Sequence, residues 1–182
     1  MPRLFFGLEI PVEIKDRLLN VRAAVSGAKW QSAEQLHLTL LFLGHVNEER
    51  IAAVCDEAGQ IQMDPFGLEV AGTGCFGQLQ RPRNLWAGVQ PAAPVAELHE
   101  TLKVRMDNLG FVTESRAFRP HITLARFKRR PGSVGNLLAQ HGQSVFGQFP
   151  VNQFALFESR QGPGGSVYTV IERFLLPGSD FP

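Results

Sequence analysis

Apolar and polar positions alternate between two periods along this chain, and the changes of period mark its elements. Residues 3–10 form an apolar and aromatic run that predicts a strand, closed by Pro11. From 11 to about 26, Ile14, Leu18, Leu19, Val21 and Val25 recur at helical spacing, with Gly27 as the stop. A loop over 29–34 leads into a strand at 36–44. Asn47 then offers an N-cap, with Glu48 and Glu49 in the first turn and Ile51, Val54, Cys55 and Ala58 along one stripe, up to Asp64-Pro65. Strands are expected at 66–73 and 83–90, joined as a hairpin. A helix over 94–109 follows, with Val95, Leu98, Leu102, Val104 and Met106 apolar and Gly110 at its end. The remainder reads as a strand at 121, a short helix at 135–140, a strand at 149–158, a turn at 162–165 and a strand at 166–176.

The pattern runs twice. Leu85-Trp86-Ala87-Gly88-Val89 echoes Leu4-Phe5-Phe6-Gly7-Leu8 at an offset of 81 positions, and a proline follows each. The order βαβαβ therefore recurs over roughly 3–82 and 83–176 within a single domain spanning 1–182. Each half ends in what reads as a hairpin, which favours antiparallel over doubly wound parallel sheets. The expected fold is α+β and bilobal. Two pseudo-twofold-related lobes, each a mainly antiparallel sheet with helices outside, enclose a central cleft.

The feature that gives this duplication chemical meaning is His37-Leu38-Thr39-Leu40, which returns 84 positions later as His121-Ile122-Thr123-Leu124. In a strand, His37 and Thr39 share one face and Leu38 and Leu40 the other, and the second copy repeats this. A twofold axis would set an imidazole and a hydroxyl from each lobe across the cleft.

Composition narrows the partners. Hydrophobic residues make up 44% and charged residues 19%, with a net charge of +1, so the chain is an ordinary globular protein without a polybasic coat. Local cations at Lys128-Arg129-Arg130 suit a short anionic substrate better than a long duplex. The apolar run near the N-terminus is too short for a signal or membrane segment, and a cytoplasmic protein is expected. Cys55 and Cys75 lack metal or disulfide spacing and read as two small buried thiols.

Histidine has an unperturbed pKa of about 6.5, so a pair can remove one proton and deliver another near neutrality. Displacement at phosphorus needs both, in line on opposite sides, with donors such as threonine hydroxyls holding the non-bridging oxygens. Neither motif has a carboxylate cluster, a His-x-His or a His-Glu-x-x-His beside it, so no metal and no cofactor are expected. No Gly-x-x-x-x-Gly-Lys loop for a nucleoside triphosphate is present.

The doubled motif, with Phe42-Leu43-Gly44 after the first copy and Arg119-Pro120 before and Arg126 after the second, resembles the two-histidine (2H) phosphoesterase family. Within it, the likeness is to bacterial RNA 2′,3′-cyclic phosphodiesterases, also called 2′-5′ RNA ligases. The resemblance implies metal-independent hydrolysis of a terminal 2′,3′-cyclic phosphate to a 2′-phosphate, with reverse ligation. It implies His37 and His121 as acid and base, with His37 protonating the leaving group or the two exchanged. Thr39 and Thr123 would bind phosphate oxygens, Phe42 would stack on a terminal base, and Arg126 would pair with phosphate. Strict alternation, however, sets Phe42 and Arg126 on the face opposite their histidines unless the strands bulge. The implied partner is RNA with a cyclic phosphate end or a small cyclic nucleotide, and the protein is expected to be a monomer without membrane contact. The alternatives are a phosphodiesterase on another cyclic or 2′-5′-linked nucleotide and a non-catalytic module that binds an RNA end.

Overall fold

The computed structural model describes residues 1–177. Among them are nine strands: β1 (Arg3–Glu9), β2 (Ala28–Trp30), β3 (His37–His45), β4 (Phe66–Gln78), β5 (Arg81–Gln90), β6 (Ile122–Phe127), β7 (Val145–Val151), β8 (Gln153–Gly162) and β9 (Gly165–Leu175). Four helices accompany them: α1 (Val12–Leu19), α2 (Ile51–Ala58), α3 (Ala92–Asn108) and α4 (Gly135–His141). The strands form one curled, wholly antiparallel sheet in the order β7-β4-β5-β6-β3-β1-β8-β9, with β2 attached to β6. This is the expected α+β architecture. The β1-β3-β8-β9 and β4-β5-β6-β7 groups are its two lobes, and the ladder between them is the single pair Leu38↔Ile122.

That pair lies on the pseudo-twofold axis, since the two residues hold equivalent places in the two motifs. Each lobe nevertheless draws on both halves of the sequence, because β4 pairs with β5 and β8 with β1. The strand registers also correct the echo read between β1 and β5. Leu8 faces Leu38, and Ala87 faces Ile122, which fixes the structural offset at 79 rather than 81. A slip of two residues preserves the face of every side chain, so alternation alone cannot detect it.

One face of the sheet carries the main core. Leu4, Phe6 and Leu8 of β1 meet Ile14 and Leu18 of α1 and Val95, Leu98, Leu102 and Met106 of α3 in one buried cluster. On the other face Phe5, Ala155 and Phe157 form a small second cluster, with Tyr168 and Val170 against it. Burial on both faces explains why β1 reads as an unbroken apolar run.

The helix ends differ instructively from the sequence expectation. Helix α3 ends as predicted: Gly110, at φ +92°, donates to the Asp107 carbonyl and Phe111 to that of Met106, a Schellman closure. Its Val104, however, points outward at 49% exposure. Helix α1 stops at Leu19, seven residues short of the expected end. There Asn20, Val21 and Arg22 turn to bonds with residues three back, and Val21 is buried from irregular chain. Asn47 does cap, accepting from the Glu49 amide, but it caps a 3₁₀ turn at 48–50 that leads into α2, which ends before Gly59 rather than at Asp64. The run read as one strand at 149–158 is two. Asn152 interrupts it, and the chain leaves β7 on one lobe to enter β8 on the other. Both pieces are apolar and no glycine marks the break, so periodicity runs straight through. Part of the expected 29–34 loop is likewise strand β2.

Candidate active site

His37, Thr39, His121 and Thr123 lie on the face opposite the fully buried Leu38 and Ile122. Continued from that pair, antiparallel register sets His37 across from Thr123 and His121 across from Thr39. The two histidines are then diagonal neighbours, which in such a ladder lie about 7–8 Å apart.

Both imidazoles are fixed through Nδ1. His37 Nδ1 donates to the Gln35 carbonyl at 2.8 Å, and His121 Nδ1 donates to the Arg119 carbonyl at 2.7 Å. A carbonyl only accepts, so Nδ1 carries the proton in each neutral ring and Nε2 presents its lone pair. Gln35 and Arg119 are themselves equivalent, each two residues before its histidine. Because the acceptor is a backbone atom, residue identity carried no signal for this role.

The surroundings of the two rings differ. His37 Nε2 accepts from the Thr39 hydroxyl at 2.8 Å. Its ring lies 4.9 Å from Phe5, 4.9 Å edge-on from Tyr168 and 6.1 Å from Phe157. Burial pushes its pKa down to about 4, opposed by the bond to Gln35 and reinforced by the charge of Arg126. His121 meets Phe76 edge-on at 5.0 Å. Burial lowers its pKa too, against the Arg119 bond and with help from Arg126. The guanidinium of Arg126 thus acts on both imidazoles.

Arg126 and Phe42 reach the histidine face because both motif strands bulge. Between Phe6↔Leu41 and Gly7↔Thr39 the strand β3 has an extra residue, Leu40; between Leu85↔Ala125 and Trp86↔Thr123 the strand β6 has Leu124. Burial records the change of phase, since Leu40 and Leu41, like Leu124 and Ala125, are buried in succession. The bulges occupy equivalent positions, and Phe42 and Arg126 follow each at the same distance. Gly44, the bend suggested by the sequence, is not needed. Each bulged carbonyl is claimed: Leu40 O accepts from His99 Nδ1 at 2.6 Å, and Leu124 O from the Gln31 amide at 2.9 Å. Phe42 is 47% exposed, with its ring 5.8 Å from Phe5.

Phe76 and Phe157 escaped the sequence reading. They are equivalents, paired with Asn84 and Phe5 at matching register, yet each backs the histidine of the opposite half because the hairpin strands are exchanged. Among the described residues no group of three or more His, Cys, Asp or Glu converges as a metal site. No helix among them is long and apolar enough to cross a membrane. Both cysteines are free and partly buried, and burial raises their pKa, that of Cys55 to about 11.

Two antiparallel lobes joined at one residue pair, each presenting a His-x-Thr strand to the same face, define the architecture of a two-histidine phosphoesterase. The family model for LigT-like phosphoesterases matches the chain twice, at 8–86 and 88–168. The chain belongs to this family. It is 32% identical over 178 residues to an Escherichia coli K12 protein named RNA 2′,3′-cyclic phosphodiesterase, covering 96% of each chain. It is 30% identical over 175 residues to an Archaeoglobus fulgidus protein of the same name, covering 94% of this chain and 99% of that one. Among solved structures, TT0787 of Thermus thermophilus superposes with a TM-score of 0.84 at 32% identity, covering 98% and 100% of the two chains. E. coli LigT complexed with 3′-AMP superposes with a TM-score of 0.79 at 29% identity, covering 97% and 99%.

Proposed function

We propose that the protein is an RNA 2′,3′-cyclic phosphodiesterase, opening a terminal 2′,3′-cyclic phosphate to a 2′-phosphate, with 2′-5′ ligation where a 5′-hydroxyl takes the place of water as the nucleophile. The observation that carries this reading is the pair of Nε2 lone pairs, each aimed by an Nδ1–H bond, on one face across the pseudo-twofold axis. One histidine, neutral, takes a proton from water as the water oxygen bonds to phosphorus. The other, protonated, gives its proton to the 3′ oxygen as the P–O3′ bond breaks. Water's second proton stays on the new phosphate or passes to solvent.

Thr39 and Thr123 donate to the non-bridging oxygens, Arg126 pairs with the phosphate charge, and Phe42 stacks on the terminal base. Burial lowers the pKa of both imidazoles in the free protein, and the arriving phosphodiester anion favours protonation of one. The names of the relatives, RNA 2′,3′-cyclic phosphodiesterases, support the same substrate class. The protein then works as a cytoplasmic monomer, one domain over 1–182, without metal, cofactor or membrane.

The test is incubation in EDTA with a short RNA ending in a 2′,3′-cyclic phosphate, followed by identification of the new end. A 2′-phosphate is expected. Tight binding without turnover would make the protein an RNA-end binding module, and a 3′-phosphate would reverse the regiochemistry.

A further inference from the structure

The pseudo-twofold symmetry is broken at one place beside the site. Strands β3 and β6 pair only at Leu38↔Ile122, and past that point β2 occupies the same edge of β6, with Ala28↔Phe127, Lys29↔Arg126 and Trp30↔Ala125. The segment equivalent to β2 in the second half, 112–114, forms no strand. Ala28 and Trp30 pack against the main core, so Lys29 projects from the opposite face, alongside Arg126. Asn84 flanks Arg126 on its other side. The wedge between the lobes thus presents a row of Lys29, Arg126 and Asn84 on the histidine face.

Lys29 reaches from this row toward the other lobe. A Cβ at Gly165, in the β8–β9 turn, would stand 2.9 Å from Lys29 Nζ and 3.2 Å from Gln35 Nε2. Gln35 in turn donates to the Ser166 carbonyl at 2.9 Å, and its own carbonyl holds His37. Glycine at 165 therefore clears the space in which the ammonium lies, close to the residue that orients His37. Two like charges abreast on neighbouring strands repel. Among the described residues neither has an ion-pair partner. Such a pair is an anion site in waiting.

With the bulge discounted, the Arg126 row is two residues beyond Thr123, about 7 Å along the strand, the order of one nucleotide step. We propose that Lys29, beside Arg126, binds a second phosphate, the one on the 5′ oxygen of the nucleoside that carries the cyclic phosphate. The inference rests on the hydrolytic reading above and deepens it: the preferred substrate is a 5′-phosphorylated or internucleotide-linked end rather than a bare nucleoside 2′,3′-cyclic phosphate.

The experiment compares kcat/KM for adenosine 2′,3′-cyclic phosphate with that for the same compound bearing a 5′-phosphate. The 5′-phosphate should raise kcat/KM about tenfold, mainly through KM, as a charge-assisted contact to one phosphate would. Lys29→Gln should bring the ratio to within twofold of one, and Lys29→Arg should keep it. A ratio near one in the unaltered protein, or an undiminished ratio in Lys29→Gln, overturns the subsite. If neither compound is turned over, the hydrolytic reading fails, and binding decides the subsite separately. The unaltered protein should then bind the 5′-phosphorylated compound more tightly and Lys29→Gln should bind the two alike; equal binding by the unaltered protein overturns it.

Discussion

The two halves of the site use the same four-residue motif in different company. His37 is packed among Phe5, Phe157 and Tyr168 with its Nε2 already bonded to Thr39, whereas His121 meets Phe76 and has one anchoring bond. Their motifs are near copies, so the difference comes from elsewhere. It comes from the exchanged hairpins: β8 and β9 bring Phe157 and Tyr168 to the first motif, and β4 brings Phe76 to the second. Duplication supplied two equivalent imidazoles, and burial among the strands beside them lowers the proton affinity of both, bringing the pKa of His37 to about 4.

The largest test of that comparison removes each ring. His37→Ala and His121→Ala should each lower kcat by about 10²–10⁴-fold with the circular dichroism of the unaltered protein retained. Near-normal turnover by either variant would end the two-histidine mechanism. A substrate whose leaving group needs no proton, such as a nitrophenyl phosphodiester, then separates the roles. Only the variant lacking the acid should recover, by about 10²-fold or more, because the other still lacks its base. Equal recovery of both variants would show the halves to be interchangeable.

The doubled motif, the faces of His37 and Thr39, and the end of α3 were all legible, because each rests on a short-range pattern: a spacing, an alternation, a glycine at a left-handed turn. The bulges were not. Leu40 and Leu124 are apolar residues among apolar residues, and nothing in their identity says that they sit unpaired. Without them Phe42 and Arg126 fall on the wrong face, which is why the sequence left those two in tension with the family pattern. The exchange of hairpins was hidden for another reason. Which lobe β4 and β8 join depends on long-range pairing, and Asn152 and Gln153, two polar residues between apolar pieces with no glycine beside them, did not reveal the crossing from β7 to β8. Lys29 lay in a stretch read as loop, and only its register against Arg126 shows where it points.

A smaller effect comes from acid. The pKa of His37 is about 4 in the folded protein and that of an exposed histidine about 6.5, so between these pH values the unfolded chain binds a proton that the folded one refuses. Stability contributed by neutral His37 is thus complete above pH 6.5, falls as pH drops toward 4, and is flat below. The loss should be on the order of 1–3 kcal/mol, His121 adding a contribution of the same sign. Urea midpoints at pH 7, 5 and 4 for the protein and for His37→Asn check this. The advantage of the unaltered protein should shrink on acidification, and a pH-independent difference would mean that His37 is not held neutral.

The smallest effect expected concerns the bulges, where the halves differ in what receives the spare carbonyl. Leu40 O depends on a side chain, His99 Nδ1, whose ring also stacks on Phe118 with centroids 4.0 Å apart, while Leu124 O takes the backbone amide of Gln31, which every substitution but proline keeps. His99→Leu keeps apolar volume beside Phe118 but leaves a carbonyl unsatisfied, at a cost of about 1–2 kcal/mol. The first bulge should loosen and the second should not. Phe42 rides on the first and Arg126 on the second, so the variant should weaken binding of the terminal base while leaving the salt dependence of binding, which reads the phosphate contact, as it was. A variant as stable as the unaltered protein, or one losing salt dependence instead of base preference, would show that His99 does not hold the bulge.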